Sequence, residues 1–315
     1  MVNLPDVNMN KLREIYDDLM GEADRTVTIA IVGPNKAGKA EVGAWFLLDR
    51  ASMSPEGVTD LCICEYDAKK DSVAAAVAKA SASDILLFVV DAAAGDRQTD
   101  MLAWQQIREL QKPYLIVANK LDLAGGDAAA VRRRIADRYG APINRIAVVS
   151  ALHGTNVLEE MLPRMTAAAK DFEIPLARRF PIFRKAVAHR IITATSAENA
   201  VIGTLIFLPA ADMPVMTANQ VKMILKIAIV YGQVIGLERL KELLVVFGSA
   251  IAMRAVARNL ASLVPVLGWA VKGGIAYGGT VALGKAAIKY FENDAEIRLP
   301  GTRALKPGQG TIIDV

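Results

Sequence analysis

In the first half of the chain, apolar residues fall into short dense runs separated by stretches of helical period. The runs TVTIAIV (Thr26–Val32), LCICEY (61–66), ILLFVV (Ile85–Val90), YLIVA (Tyr114–Ala118) and IAVV (Ile146–Val149) are short and apolar. Strands of that kind are buried on both faces of a parallel sheet. Between them, residues 71–80, 97–111, 127–139 and 155–170 repeat their apolar positions at helical spacing. Strand and helix alternate, which predicts a doubly wound, mostly parallel α/β layer. An amphipathic helix precedes it, with Leu12, Ile15, Tyr16 and Leu19 on one face.

After Lys170 the rhythm stops. DFEIPLARRFP carries two prolines and mixed charge and reads as a linker. Residues 182–291 read as helices throughout, broken at Pro209, Pro214, Gly232, Gly236 and Pro265. From Glu292 the chain has turn formers and little periodicity, so an extended or disordered tail is expected. The expected organisation is a helix in 1–23, an α/β domain in 24–172, a linker in 173–181, an apolar all-α domain in 182–291 and a tail in 292–315.

Composition sharpens the contrast between the halves. Hydrophobic residues make up 53% of the 315 positions, and mean hydropathy is +0.30. Part of the chain is therefore deeply buried or close to lipid. A net charge of +4 does not demand a polyanionic partner. The only cysteines, Cys62 and Cys64, share one side of a predicted strand and are expected to be structural thiols, because two ligands alone cannot close a metal site. The N-terminal segment is polar and acidic with no apolar core, so secretion is not expected.

Candidate chemistry sits at the carboxyl ends of the predicted strands. Gly33-Pro34-Asn35-Lys36-Ala37-Gly38-Lys39-Ala40 follows the first strand and opens a helix with the spacing G-x-x-x-x-G-K, lacking only the final Ser or Thr. Such a loop wraps phosphates with backbone N–H groups; the helix N-terminus and Lys39 add positive charge. Asn119-Lys120-Leu121-Asp122 follows YLIVA and matches an N-x-x-D guanine-reading pattern with Lys second. A carboxylate at Asp122 can accept from both N1–H and the exocyclic amine of guanine. Asn119 would tether the loop and the Lys120 stem would cover the base. Ser150-Ala151-Leu152 follows the next strand, with the Ala151 N–H expected to face guanine O6. The expected ligand is GTP or GDP.

With these motifs in place, residues 24–170 resemble the Era/EngA-type bacterial GTPases, including the phrase DILLFVVDAAAG. Residues 180–291 are similar to the uncharacterised YcjF-like helical domain, through PIFRKAVAHRII, LPAADMPVMTANQVKMILKIAIVYG and VPVLGWAVKGGIAYGGTVALGKAAIKYF. The resemblance implies GTP binding with Mg²⁺ and says little about physiological role.

Several positions depart from that pattern. Ala40 stands where the family carries a hydroxyl that ligates Mg²⁺, so metal affinity and hydrolysis should both fall. Lys36 stands where potassium-dependent members have Asn; its ammonium is either a stand-in for a monovalent cation or a solvated rim lysine. The family's Asp-x-x-Gly after the third strand becomes Asp67-Ala68-Lys69-Lys70. Asp67 is thus the expected magnesium residue and, with Lys39, the catalytic candidate. Asp91 and Gly95 form a second Asp-to-Gly stretch, but Asp91 ends a later strand and is read as a decoy. Thr59 is the candidate switch threonine, only eight residues before Asp67, which implies a shortened first switch. No Gln or His adjoins Asp67 to orient water, and His153 and His189 are read as structural.

The basic residues Arg178, Arg179, Arg184, Lys185 and Arg190 precede the apolar region with no acidic residue between Ile174 and Ala197. They are expected either to attract an anionic membrane surface or to form a solvated helix face. Asn259–Val271 and Gly273–Gly284 are interrupted only by Lys272, and Gly274-x-x-x-Gly278 would permit close helix contact. Three readings follow: a guanine-nucleotide switch at the cytoplasmic face of a membrane, with weak or partner-assisted hydrolysis and an unknown protein partner; a degenerate pseudo-GTPase acting as a scaffold; and, disfavoured by the apolar second domain and its lack of a basic G-x-x-G loop, an RNA binder.

Overall fold

A computed structural model describes residues 9–48, 60–95, 97–125, 127–205, 213–233 and 268–294. Helix α1 (Met9–Ala23) is followed by β1 (Ile29–Pro34), α2 (Lys39–Phe46), β2 (Leu61–Tyr66), α3 (Lys70–Ala80), β3 (Ile85–Asp91), α4 (Gln98–Glu109), β4 (Tyr114–Asn119), α5 (Ala128–Tyr139) and β5 (Ile146–Val148). Helices α6 (Leu162–Ala168), α7 (Glu173–Arg179), α8 (Arg184–Leu205), α9 (Met213–Val230) and α10 (Gly268–Asp294) complete the described elements. The chain has the expected architecture, a parallel α/β layer followed by an all-α region. It divides into two compact units, Asp17–Arg190 and Ile191–Val315 with Met1–Tyr16.

In the first unit all five strands are parallel in the order β2-β1-β3-β4-β5. β1, β3 and β5 bury every apolar residue, which explains their unbroken hydrophobic runs. On one face Phe88 stacks on Trp104 at 5.6 Å and meets Tyr139 edge-on at 5.5 Å. The Trp104 indole N–H, which could not be buried unpaired, donates to the Tyr139 carbonyl at 2.7 Å. α5 has local signals at both ends: Asp127 accepts from the Ala130 N–H at 2.6 Å, and Gly140 ends the helix at φ 58°.

Two local expectations differ from the structure. The stretch 155–170 is not one regular helix; Val157–Met161 forms a π turn before α6, with Met161 N–H bonded to Asn156 O. Pro163 near the start of α6 has no N–H, so the preceding ladder loses a donor and widens. Residues 173–179, read as linker from their prolines, form α7, and Glu173–Ala177 are buried. Pro175 lies in the first helical turn, where its missing N–H costs no intrahelical bond. Beyond α7, Phe180 and Phe183 pack on Phe46 of α2 at 6.1 and 5.4 Å, so the segment belongs to the core.

In the second unit, Pro214 likewise opens α9 rather than breaking a helix. Close helix approach occurs at Gly273 and Gly284. A Cβ at Gly284 would lie 2.3 Å from Ile192 Cγ1, and one at Gly273 would lie 2.6 Å from Thr204 Cγ2. Gly274 and Gly278, the pair singled out by spacing, face no described atom within 4 Å. The buried Thr280 hydroxyl accepts from Asn199 and Gln220, both at 3.1 Å, and donates to Ala276 O at 2.8 Å. Among the described residues no helix is long and apolar enough to cross a membrane.

Candidate functional site

The loop between β1 and α2 is shaped by two glycines. A Cβ at Gly33 would sit 2.2 Å from the Val89 carbonyl oxygen, so only glycine lets β1 lie this close to β3. Gly38 adopts φ +86°, and a Cβ there would meet Asn119 Nδ2 at 2.2 Å. Lys36 is also left-handed, at φ 65°, and is exposed on the rim. Lys39 opens α2 with its side chain fully buried; its ammonium donates to Pro34 O at 2.6 Å and pairs with Glu65 at 2.8 Å.

Asn119 ends β4 and connects this loop to the one after β5. Its Nδ2 donates to Ala37 O at 3.0 Å, while its Oδ1 accepts from the Ala151 N–H at 2.9 Å. That second bond departs from expectation, because the Ala151 N–H assigned to a purine oxygen is directed at Asn119 instead. Lys120, left-handed at φ 66°, anchors its ammonium on Asp91 at 2.7 Å. Asp91 also accepts from the Ala93 N–H at 2.9 Å.

Asp122 accepts from the Ser150 hydroxyl at 2.5 Å, and His153 Nε2 lies 3.8 Å from its other oxygen. The Ser150 hydrogen bond, chief among the local causes, holds the Asp122 carboxyl below its ordinary range. Ionised Asp122 presents only acceptors, as donors on a purine edge require.

These groups enclose a cavity of about 410 Å³, lined among others by Lys36, Lys39, Glu65, Asn119, Asp122 and Ser150. Exposed Leu123 and Leu152 flank the same hollow. It lies at the carboxyl ends of the strands, where open α/β sheets bind ligands. A second hollow of about 540 Å³ is lined by Arg145, Glu160 and Arg164. There Arg132 and Arg164 pair with Glu160, and Arg145 donates to the Tyr114 and Ala168 carbonyls, so its charges are already used internally.

Not every expected residue reaches the first cavity. Asp67 is exposed and accepts from the Lys69 N–H at 2.8 Å, making a turn before α3. It is absent from the residues that line the cavity. Thr59 lies outside the described residues. Position 40 presents a methyl group, and the described residues assemble no cluster of three or more His, Cys, Asp or Glu suited to a metal. Magnesium bound beside a nucleotide takes most of its oxygens from phosphate and water, so the change at position 40 withholds one protein oxygen from it.

Sequence reasoning missed Glu65, whose carboxylate enters the cavity in place of Asp67. A lone acid next to the end of an otherwise apolar strand was the available signal. The basic stretch is also less available than its composition implies. Arg178 pairs with Asp24, Arg179 with Asp60 and Arg190 with Glu173, leaving Lys185 exposed.

Residues 169–307 match the family described as a domain of unknown function, DUF697. The GTPase Der of Stenotrophomonas maltophilia (strain R551-3) is 40% identical over 102 residues, 31% of this chain and 20% of that one. The GTPase Der of Methylococcus capsulatus is 27% identical over 161 residues, 47% of this chain and 32% of that one. The chain thus spans a third or less of the length of these relatives. A solved structure titled a probable GTP-binding protein engB aligns with 46% of this chain at 19% identity and a TM-score of 0.37; at that score it adds nothing to the fold already described. Part of the chain is thus similar to Der-type GTPases, and residues 169–307 match an uncharacterised family, DUF697.

Proposed function

We propose that the cavity at the carboxyl ends of β1, β4 and β5 binds a guanine nucleotide and that GTP hydrolysis there is slow. The observation that carries this is the placement of Asn119. One buried amide bridges the phosphate loop at Ala37 and the base loop at Ala151, putting Lys39 and Asp122 on one cavity. Relatives similar to part of this chain are named GTPases, which supports the same reading. Slow turnover is supported by the methyl of Ala40 and by the use of the Asp67 carboxylate in its own turn, where it accepts from the Lys69 N–H. Phosphoryl transfer depends on neutralising charge at the terminal phosphate, and the residues expected to do so through a metal are missing or turned elsewhere.

The test is a titration of the whole protein with GTP, GDP, XDP and ATP, with phosphate release followed in parallel. Guanine nucleotides should bind best, and Asp122→Asn should shift preference toward xanthine. Ala40→Ser should raise turnover if the remaining machinery is competent. Binding of none of these nucleotides, or an Asp122→Asn protein with unchanged base preference, overturns the assignment. Tight binding without turnover in either the parent or Ala40→Ser supports the second reading, a nucleotide-holding scaffold.

Placement at the cytoplasmic face of a membrane has less support, since three of the five basic residues already have carboxylate partners. Flotation with anionic and neutral vesicles tests what is left. Equal or absent binding ends the electrostatic version of that idea.

A further inference from the structure

β2 is the edge strand beside the phosphate loop, and Glu65 lies opposite Gly33 in its register with β1. Its carboxylate is 2.8 Å from the Lys39 ammonium, whose other bond goes to Pro34 O. The buried cation of the loop therefore already carries a counter-charge. Glu41, in the first turn of α2, lines the same hollow. Around the phosphate loop, Lys36 and Lys39 are thus matched by Glu41 and Glu65.

The strand order gives the cavity a direction. Asn119 ends β4 and Ser150 follows β5, while Glu65 stands on β2 at the opposite edge. Three inter-strand steps separate β2 from β4, roughly 14 Å at the usual spacing. A nucleotide with its base beside Asp122 runs its phosphates toward β2. Each added phosphate brings negative charge closer to Glu65.

We propose that Glu65 is a specificity-determining residue that makes this site prefer a guanine nucleoside diphosphate to the triphosphate. The inference rests on the guanine reading above and adds the length of the phosphate chain to it. A diphosphate leaves the Lys39–Glu65 pair in place. A triphosphate meets a carboxylate where its last group must go, and like charges a few ångströms apart repel, less steeply at this half-exposed side chain than in a dry interior. The side chain of Glu65 is 56% exposed, so it can turn into solvent when displaced, and that displacement is what triphosphate binding must drive.

Calorimetric titration of the full chain with GDP and GTP, in magnesium and in EDTA, tests this. The unmodified protein should bind GDP at least about tenfold more tightly than GTP. Glu65→Gln should close the gap to about threefold or less by tightening GTP, and Glu65→Lys should close it further. An unmodified protein that does not prefer GDP overturns the proposal without recourse to any variant. So does a gap unchanged in Glu65→Gln, or a Glu65→Gln protein that loses affinity only in magnesium, which would make Glu65 a metal ligand. Binding of neither nucleotide overturns this proposal and the guanine reading together. A diphosphate preference shared equally by GDP and ADP sinks the guanine reading and leaves the role of Glu65 standing.

Discussion

The indole N–H of Trp45 donates to the carbonyl oxygen of Ala151 at 2.8 Å, so the helix that begins at Lys39 is tied to the loop expected to meet the base. Gly154 in that loop lies against the same ring; a Cβ there would stand 3.0 Å from two ring carbons. A ligand that moves either element changes the surroundings of the indole. GDP should therefore alter tryptophan emission, and Trp45→Phe should abolish most of that change. The variant should also weaken GDP by about 0.5–1.5 kcal/mol, the usual net worth of one hydrogen bond. A full emission change in Trp45→Phe would show that the signal arises elsewhere.

Phe183 separates a packed segment from a linker. It is fully buried and meets Phe46 and Phe180 in the core of the α/β unit. Phe183→Ala should cost about 3–5 kcal/mol in unfolding free energy. Chemical denaturation measures it, and a loss below about 1 kcal/mol would return the segment to the linker read from its prolines.

Asp100 gives a pH dependence with a definite sign. It is buried, and desolvation, its largest influence, raises its carboxyl above the ordinary value despite the hydrogen bond from the Tyr66 hydroxyl at 3.1 Å. A raised carboxyl contributes most below its unfolded pKa, and that contribution is lost as pH rises through the folded value. Asp100→Asn keeps an acceptor for Tyr66 and removes the charge. The variant should melt above the parent at pH 7, and the advantage should vanish below about pH 4. A parent more stable than Asp100→Asn at pH 7 would contradict the burial argument.

The two thiols should behave differently although their sulfurs are 3.3 Å apart. Burial, helped by the neighbouring Cys62, pushes the Cys64 thiol up to about 12, leaving little thiolate near neutrality. Cys62 is partly exposed. A disulfide-exchange reagent at pH 7.5 should titrate one thiol in the folded protein and two after denaturation. Cys62→Ser should remove the native reaction, and two fast thiols in the folded chain would refute the assignment.

Much of the α/β half was legible because its signals are local. Five apolar runs became five strands, and the glycines of the loop reported their own backbone demands. The linker expected over 173–181 rests on reading proline as a breaker, whereas Pro175 sits in the first turn of α7. Pairwise side-chain geometry was hidden too. Nothing near Asp67 in sequence says that its carboxylate will serve its own turn, and Glu65 is marked only as a lone acid near the end of an apolar strand. Spacing singled out Gly274 and Gly278, whereas among the described residues the close approaches fall at Gly273 and Gly284, since which side of a helix meets its neighbour depends on the neighbour.

The Thr280 hydroxyl, shared by amides from α8 and α9, limits how the helical unit can respond to anything that binds it. Sliding α10 by a turn, about 5.4 Å, would take the Thr280 hydroxyl from both Asn199 and Gln220, leaving Asn199 its bond from Asn219. Aliphatic contacts alone would permit such ratcheting at little cost. These three helices are therefore latched in register, and a signal passing through them must shift them together or break the latch outright.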